Sequence, residues 1–225
     1  MLQQTQVPRV IPKYKEFLSA FPTARALAEA PLSDVLKVWS GLGYNRRGKY
    51  LHDAAKAVVE KHGGRVPRDA AALSALPGIG GYTAAAIRAF AFNEPSVLVE
   101  TNVRTAVIHF LSRSDLHKKD TKFTDRQISE FAALAAQGQD PREWNWALMD
   151  YGAYLKQSGL RLNARSAHYV KQKKFEGSMR QLRGAILRDL HAGTQPKRDS
   201  RVRLALKALE KDALVVRAKG KWRIA

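Results

Sequence analysis

Apolar residues recur at three- and four-residue intervals along most of this chain, the spacing that gathers them on one face of an α-helix. Val10, Tyr14, Phe17 and Leu18 form one such set, and Leu32, Val35, Leu36 and Trp39 another. Ala54, Ala55, Ala57, Val58 and Val59 make a third apolar helical segment. Pro8, Pro12, Pro22, Pro31, Pro67, Pro77, Pro95 and Pro141 mostly fall where one helix stops and the next begins. Ser33-Asp34 ahead of Val35, and Thr124 ahead of Asp125-Arg126-Gln127, predict helix starts. Asp140-Pro141-Arg142-Glu143 is a stronger one, with Asp at the cap, Pro in the first turn and Glu three residues after the cap. The helix it opens carries Trp144, Ala147, Leu148, Tyr151 and Leu155 at core spacing. The two-residue alternation of a half-buried strand is not sustained anywhere before about residue 210.

Beyond Leu155 the character changes. Residues 159–172 are polar and poor in large apolar side chains, which predicts a connecting segment wrapped over the first domain. Leu182, Ile186, Leu187 and Leu190 predict one helix; Val202, Leu204, Leu206 and Leu209 predict a second. Leu214-Val215-Val216-Arg217-Ala218 and Trp222-Arg223-Ile224 read as short strands joined around Lys219-Gly220-Lys221. Two helices followed by a basic hairpin outline a winged helix.

Charge now changes the picture. The chain has 225 residues, 39 Lys and Arg against 20 Asp and Glu, and a formal charge of +19. After Leu155 there are 19 basic and 5 acidic residues, so most of the excess sits in the last third. Such a surplus points to a polyanion: DNA, RNA or an anionic membrane surface. The chain contains no cysteine, which excludes disulfides, thiolate-held iron–sulfur clusters, Cys-ligated zinc and a Cys nucleophile. His52, His62, His109, His117, His168 and His191 show no close ligand spacing, so no metal site is expected. No run of apolar residues is long enough for a membrane helix, and the start MLQQTQVPRV lacks the pattern of a signal peptide. The expectation is a cytoplasmic protein.

Four segments carry candidate chemistry. In Leu76-Pro77-Gly78-Ile79-Gly80-Gly81-Tyr82-Thr83-Ala84 a helical segment ends, a Pro-Gly-x-Gly turn follows, and a new helix begins. Glycines there permit φ above zero and keep side chains out of the way, so N–H groups at the helix start could clasp a phosphate. A plain Gly-rich corner between helices is the alternative. Val97-Leu98-Val99 ends at Glu100-Thr101-Asn102 and leads into a helix with Val103, Val107, Ile108 and Leu111 on one face. Glu100 is therefore a carboxylate at or next to a helix N-terminus, either a functional anion or a simple cap. Gln3, Gln4 and Gln6 offer donors and acceptors for base edges, or else form a solvated helix face. In Trp39-Ser40-Gly41-Leu42-Gly43-Tyr44-Asn45-Arg46-Arg47, an aromatic and paired arginines in a glycine-rich loop suit nucleic-acid contact; an ordinary turn is the alternative.

These segments, in this order and spacing, resemble the helix–hairpin–helix DNA glycosylases related to endonuclease III, and within them the adenine glycosylase (MutY-like) branch. MLQQTQV, GLGYNRR, LPGIGGYTA, ETNVR and ALMDYGA each look like a family block, over about residues 1–155. The resemblance implies a mainly α fold: a two-lobed all-helical body with a DNA cleft between the lobes, here followed by the small winged-helix-like module. Residues 1–175 are the expected glycosylase domain and 176–225 the basic module. The activity it implies is hydrolysis of the bond between base and sugar at a mispaired base, adenine opposite guanine or 8-oxoguanine, in a duplex from which the nucleotide is first extruded. A thymine or uracil mismatch glycosylase and a non-catalytic mismatch binder are the alternatives. By resemblance Glu100 stands where the family keeps its catalytic Asp. Gly78, Gly80, Gly81 and Thr83 belong to the phosphate-binding hairpin. Gln3, Gln4 and Tyr44 match positions that probe or wedge the duplex. Arg46, Arg47, Asn102 and Arg104 complete the expected DNA contacts. Tyr82 stands where strand-cleaving relatives keep a Schiff-base Lys, which implies a glycosylase without efficient strand cleavage. The expected partner is double-stranded DNA, with no membrane, and the expected form a nucleoid-associated monomer.

Three departures from the family pattern stand out. The family's acid–base Glu falls two residues ahead of the Met of the MLQQTQ block, which is Met1 here. Either the native start lies upstream, with the helical segment that holds this residue, or the proton-transfer function has been lost. Glu replaces Asp at position 100, which keeps the charge but extends the reach by a methylene. The family's four-Cys iron–sulfur loop is matched by a stretch from Leu160 to Lys174 without cysteine, so no cofactor is expected and packing and hydrogen bonds must hold this segment.

Overall fold

The computed structural model describes residues 1–113, 121–170, 174–197 and 199–225. His117, one of the histidines considered above, lies outside the described residues. The fold is mainly α with one small sheet. The helices are α1 (Val7–Ala20), α2 (Ala24–Glu29), α3 (Leu32–Trp39), α4 (Arg46–His62), α5 (Ala70–Ser74), α6 (Gly81–Phe92), α7 (Thr101–Ser112), α8 (Asp125–Ala135), α9 (Pro141–Gln157), α10 (Met179–His191) and α11 (Ser200–Lys211). Strands β1 (Val215–Ala218) and β2 (Lys221–Ile224) follow. Among the described residues no helix is long and apolar enough to cross a membrane. The chain divides into two compact units: one comprises Met1–Pro67, Leu76–Gly78 and Lys173–Ala225, the other Arg68–Ala75 and Ile79–Gln172.

The first unit has two apolar centres. Val10, Phe17, Leu27, Val35, Trp39, Leu42 and Ala55 fill one, where the Phe17 ring meets Phe21 and Trp39 edge-on. The other joins Leu36 of α3 to Ile186, Leu187, Leu206, Leu209, Leu214 and Val215. Helix α3 thus serves both, because Val35 and Trp39 lie on one face and Leu36 on another. In the C-terminal part α10 and α11 carry an antiparallel hairpin with Val216 opposite Arg223 and Arg217 opposite Trp222. Its two-residue turn, Lys219-Gly220, has φ of 48° and 75°, the left-handed pair that suits the twist of a tight hairpin.

Several details differ from the sequence reading. Pro12 lies inside α1, which runs on through it, because tertiary burial of Val10 and Phe17 outweighs the lost bond to the preceding turn. Tyr14 and Leu18 share the helical period but point outward, 54% and 45% exposed, in a stripe with Val7 and Ile11. Leu204 likewise faces solvent, since Leu206 and Leu209 occupy the inner face of α11. Helix α3 starts at Leu32 after Pro31, so Ser33 and Asp34 are in its first turn and do not cap it. Thr124 and Asp140 do cap their helices, Thr124 in a reciprocal capping box with Gln127.

The second unit is built on α7. Val103, Val107 and Ile108 are fully buried in a core with Leu98, Phe123, Ile128 and Leu148. Within the cysteine-free stretch, hydrogen bonds and a ring contact tie Arg165 and Ala167 to Ser112, Thr121 and Phe123. Arg165 ends a 3-10 helix (Leu162–Arg165), lies over the Phe123 ring at 5.2 Å and donates to Thr121 O at 3.2 Å and Ser112 Oγ at 2.6 Å. Phe123 N donates to Arg165 O, and Ala167 N to Phe123 O, at 2.9 and 2.8 Å.

Helices α7 and α9 touch backbone to backbone at Gly152, where an added Cβ would fall 2.0 Å from Asn102 O. That atom belongs to the first turn of α7, so only glycine lets α9 seat the start of that helix. Gly152→Ala is expected to destabilise the chain by about 3 kcal/mol or more, beyond ordinary overpacking because a backbone atom must move. Urea unfolding checks this; a variant within 1 kcal/mol of the parent would show that the helices can part freely, on the order of a surface substitution.

Candidate functional site

The residues singled out in the sequence fall into two sets, one in each unit. In the first unit Gln3 and Gln4 are exposed, while Tyr44, Arg47 and the backbone around them are half-buried. Arg47 ties this set together. Its guanidinium donates to Met1 O at 3.2 Å, to Gln3 O, to Thr5 Oγ1 at 3.1 Å and to Leu42 O at 3.3 Å. It also lies over the rings of Trp39 and Tyr44 at 5.6 and 5.3 Å. Burial pushes its pKa down, with the neighbouring Tyr44 acting the other way. An arginine read as a DNA contact thus fastens the N-terminal segment to the 40–45 loop. Two residues of this set, Gln4 and Tyr44, have φ of 56° and 49°. Side-chain-bearing residues rarely adopt such angles, and they tend to be held there at functional positions.

Arg46 is more exposed. It pairs with Asp212 at 3.4 Å, donates to Tyr50 OH and lies over the Tyr50 ring at 5.3 Å. Its pKa is raised, first by the bond to Tyr50 and then by the Asp212 charge. Gly78 belongs to the same unit. Its φ of +74° is left-handed, and an added Cβ would meet Tyr50 Cβ at 2.5 Å, so both conformation and space demand glycine.

In the second unit Gly80 caps α6, and no side chain satisfies the first N–H groups of that helix from the cap position. Gly80 has φ of −90° and Gly81 is helical, so neither uses the left-handed freedom expected of this turn. Neither would bring an added Cβ within 4 Å of anything. The fold does not require glycine at these two positions; what they leave is open space before a helix N-terminus, where the dipole favours an anion.

Glu100 is the N-cap of α7. Its Oε1 accepts from Asn102 N at 2.6 Å and Val103 N at 2.8 Å. Among the described residues nothing donates to Oε2. One oxygen therefore anchors the half-buried side chain, and the cap leaves the other uncommitted. Burial raises the Tyr82 phenol above its ordinary value, and the Glu100 charge raises it further; Tyr82 is a neutral phenol at pH 7. Asn102 Oδ1 accepts from Lys156 Nζ at 3.1 Å. Arg104 is committed elsewhere, in a two-pronged pair with Asp125 at 2.8 and 2.7 Å. That bond raises the arginine's pKa and lowers the Asp125 carboxyl. Thr83 sits half-buried in the first turn of α6.

Sequence reasoning gave no role to Gly152, which seats the turn that Glu100 caps; a glycine inside an apolar helix was the available signal. Nor did it find Arg180, whose side chain donates to Tyr44 OH.

Residues 1–132 match the family described as HhH-GPD superfamily base excision DNA repair protein. The adenine DNA glycosylase of Mycolicibacterium smegmatis is 35% identical over 211 residues, covering 87% of this chain and 71% of that protein. The adenine DNA glycosylase of Rattus norvegicus is 40% identical over 156 residues, 68% of this chain but 30% of the rat protein. Among solved structures, a thermostable thymine-DNA glycosylase matches with a TM-score of 0.57 and 27% identity, over 68% of this chain and 69% of that one. Endonuclease III in a trapped covalent DNA intermediate matches with a TM-score of 0.52 at 20% identity, over 68% of each chain, a likeness of fold.

Proposed function

The chain belongs to the HhH-GPD superfamily of base excision DNA repair proteins, and on that premise we propose that it is a monofunctional DNA glycosylase that removes adenine opposite guanine or 8-oxoguanine. The observation that carries this reading is the Glu100 carboxylate, fixed through Oε1 at the start of α7 with Oε2 uncommitted. Breaking the bond between base and sugar builds positive charge on the sugar. A preorganised anion beside it stabilises that charge without reorganising during the step. Water then supplies hydroxyl to the sugar carbon, and the proton balance is completed on the departing base. Tyr82 offers a neutral phenol and no amine, so this position forms no Schiff base and strand cleavage is not expected. The open start of α6 at Gly80 and Gly81 would take a phosphate, and Gln3, Gln4 and Tyr44 would enter the duplex near the mismatch.

Residues 176–225 would add affinity for the DNA backbone, acting on chromosomal DNA as a monomer. The adenine reading is supported by relatives of 35% and 40% identity named for that base. A second reading, thymine or uracil opposite guanine, is favoured by the 27% identity to a thymine-DNA glycosylase. Single-turnover excision on duplexes bearing A·G, A·8-oxoguanine, T·G and U·G separates the two. Abasic product from the adenine duplexes alone is the expected result. Product from the pyrimidine duplexes alone would replace the adenine reading with the second, and binding without product on all four would leave a mismatch binder.

A further inference from the structure

We infer that Arg180, at the start of α10, is a positioning residue for Tyr44 and makes the C-terminal module part of mismatch recognition as well as of backbone affinity; this rests on the reading of Tyr44 as a residue that enters the duplex. Two guanidinium groups lie against the Tyr44 ring. Arg47 lies over it at 5.3 Å and Arg180 at 5.1 Å. Arg180 also donates to Tyr44 OH and lies over the exposed Phe175 ring at 5.3 Å. The contact spans 136 residues of sequence within one compact unit. Tyr44 is half-buried with φ of 49°, a backbone state that persists only where neighbours impose it. Arg47 grips the ring from the first turn of α4, and Arg180 adds the grip on the hydroxyl.

Among the described residues, nothing accepts from the buried Nε of either arginine. The module is itself held in register with the 44–50 region, because Asp212, just beyond α11, pairs with both Arg46 and Arg183. A ring gripped by two cations and through its hydroxyl keeps one orientation. Arg180 thereby sets how well Tyr44 distinguishes a weakened base pair from an intact one, a specificity effect that need not touch the sugar chemistry.

The test compares dissociation constants for the preferred mismatched duplex and the same duplex fully paired, in the full-length chain. Arg180→Ala is expected to lower the ratio of the two about 5–10-fold, the scale of a cation–π contact plus a charge-assisted hydrogen bond. Arg180→Lys keeps the charge and the stem but not the planar fork, and should recover part of the ratio. Tyr44→Phe removes only the hydroxyl and should reproduce part of the loss. Combined with Arg180→Ala it should add less than the two separate effects, as coupled neighbours do. Thermal melting of each variant reports folding separately. If Arg180→Ala weakens both duplexes by the same factor, with the salt slope reduced by about one, the residue is a phosphate contact and the inference falls. If the parent chain shows no preference, or Tyr44→Ala leaves its preference intact, the mismatch reading itself falls and this inference with it. If Tyr44→Ala abolishes a preference that Arg180→Ala preserves, only the role of Arg180 is lost.

Discussion

Affinity for duplex DNA should drop about 10³–10⁵-fold between 50 and 200 mM salt, the response of a protein that displaces counterions from some 6–10 phosphates. The formal charge of +19 is not what sets this slope. Arg46, Lys49, Arg68, Arg88, Arg104 and Arg183 already face carboxylates and have less to give. The remainder is concentrated near the C-terminus. Arg203, Lys207 and Lys211 recur every four residues on the outer side of α11, and Arg217, Lys219, Lys221 and Arg223 project from the hairpin. All seven are exposed, and none forms an ion pair among the described residues. Replacing Arg203, Lys207 and Lys211 by Gln should flatten the slope by about two to three, at nearly one per lost phosphate contact. Fluorescence anisotropy across a salt series measures both. A salt-insensitive affinity in the parent chain would remove the duplex-binding reading altogether.

Glu100→Gln is expected to slow excision about 10²–10³-fold while leaving DNA affinity and fold nearly intact. Gln retains an oxygen to accept from Asn102 N and Val103 N, so the cap on α7 survives in form. What it loses is the charge facing the developing sugar cation. A residue that merely caps a helix would give the opposite result: a stability loss on the order of 1 kcal/mol and no change in the rate of the chemical step. Single-turnover rates on saturated protein, read beside a melting curve, separate the two. Removing the charge should also lower the Tyr82 titration, since Glu100 raises it, although burial will hold it above the ordinary phenol value. Glu100→Asp keeps the charge and is expected to retain excision. An unchanged rate in Glu100→Gln would end the catalytic assignment of this residue.

Local signals carried much of the fold. Thr124 and Asp140 were readable as caps because a cap bond joins a short side chain to a backbone N–H only two or three residues on. The two-strand hairpin was readable from its alternation and turn. Burial was less so. The apolar period of α1 could not say that Val10 and Phe17 go inward while Tyr14 and Leu18 stay exposed, because that depends on where α3 lies. The site divides in the same way. Glu100 was placed at a helix start by the residues beside it. The duties of Arg47 and Arg104 were hidden, since their partners include Met1 and Asp125, 46 and 21 residues away. Arg180 was hidden for the same reason at greater distance. The glycine turn was legible as a turn, but only Gly78 uses the backbone freedom that suggested it.

The shared core of Leu36 with α10, α11 and the hairpin also sets an order of events during synthesis. Residues 79–172 are nearly continuous in sequence within their unit, and can condense as soon as they leave the ribosome. The first 67 residues cannot complete their own unit by then. The other half of Leu36's surroundings, Ile186 through Val215, has not yet been made. The N-terminal helices can close the centre around Phe17 and Trp39, but the Leu36 side of α3 stays uncovered until residues 186–215 are made and a loop of more than a hundred residues closes, a slow step by the entropy of bringing distant segments together. The Tyr44 environment is among the last features of the molecule to form, so a nascent chain acquires its carboxylate-bearing half before the half that holds Tyr44.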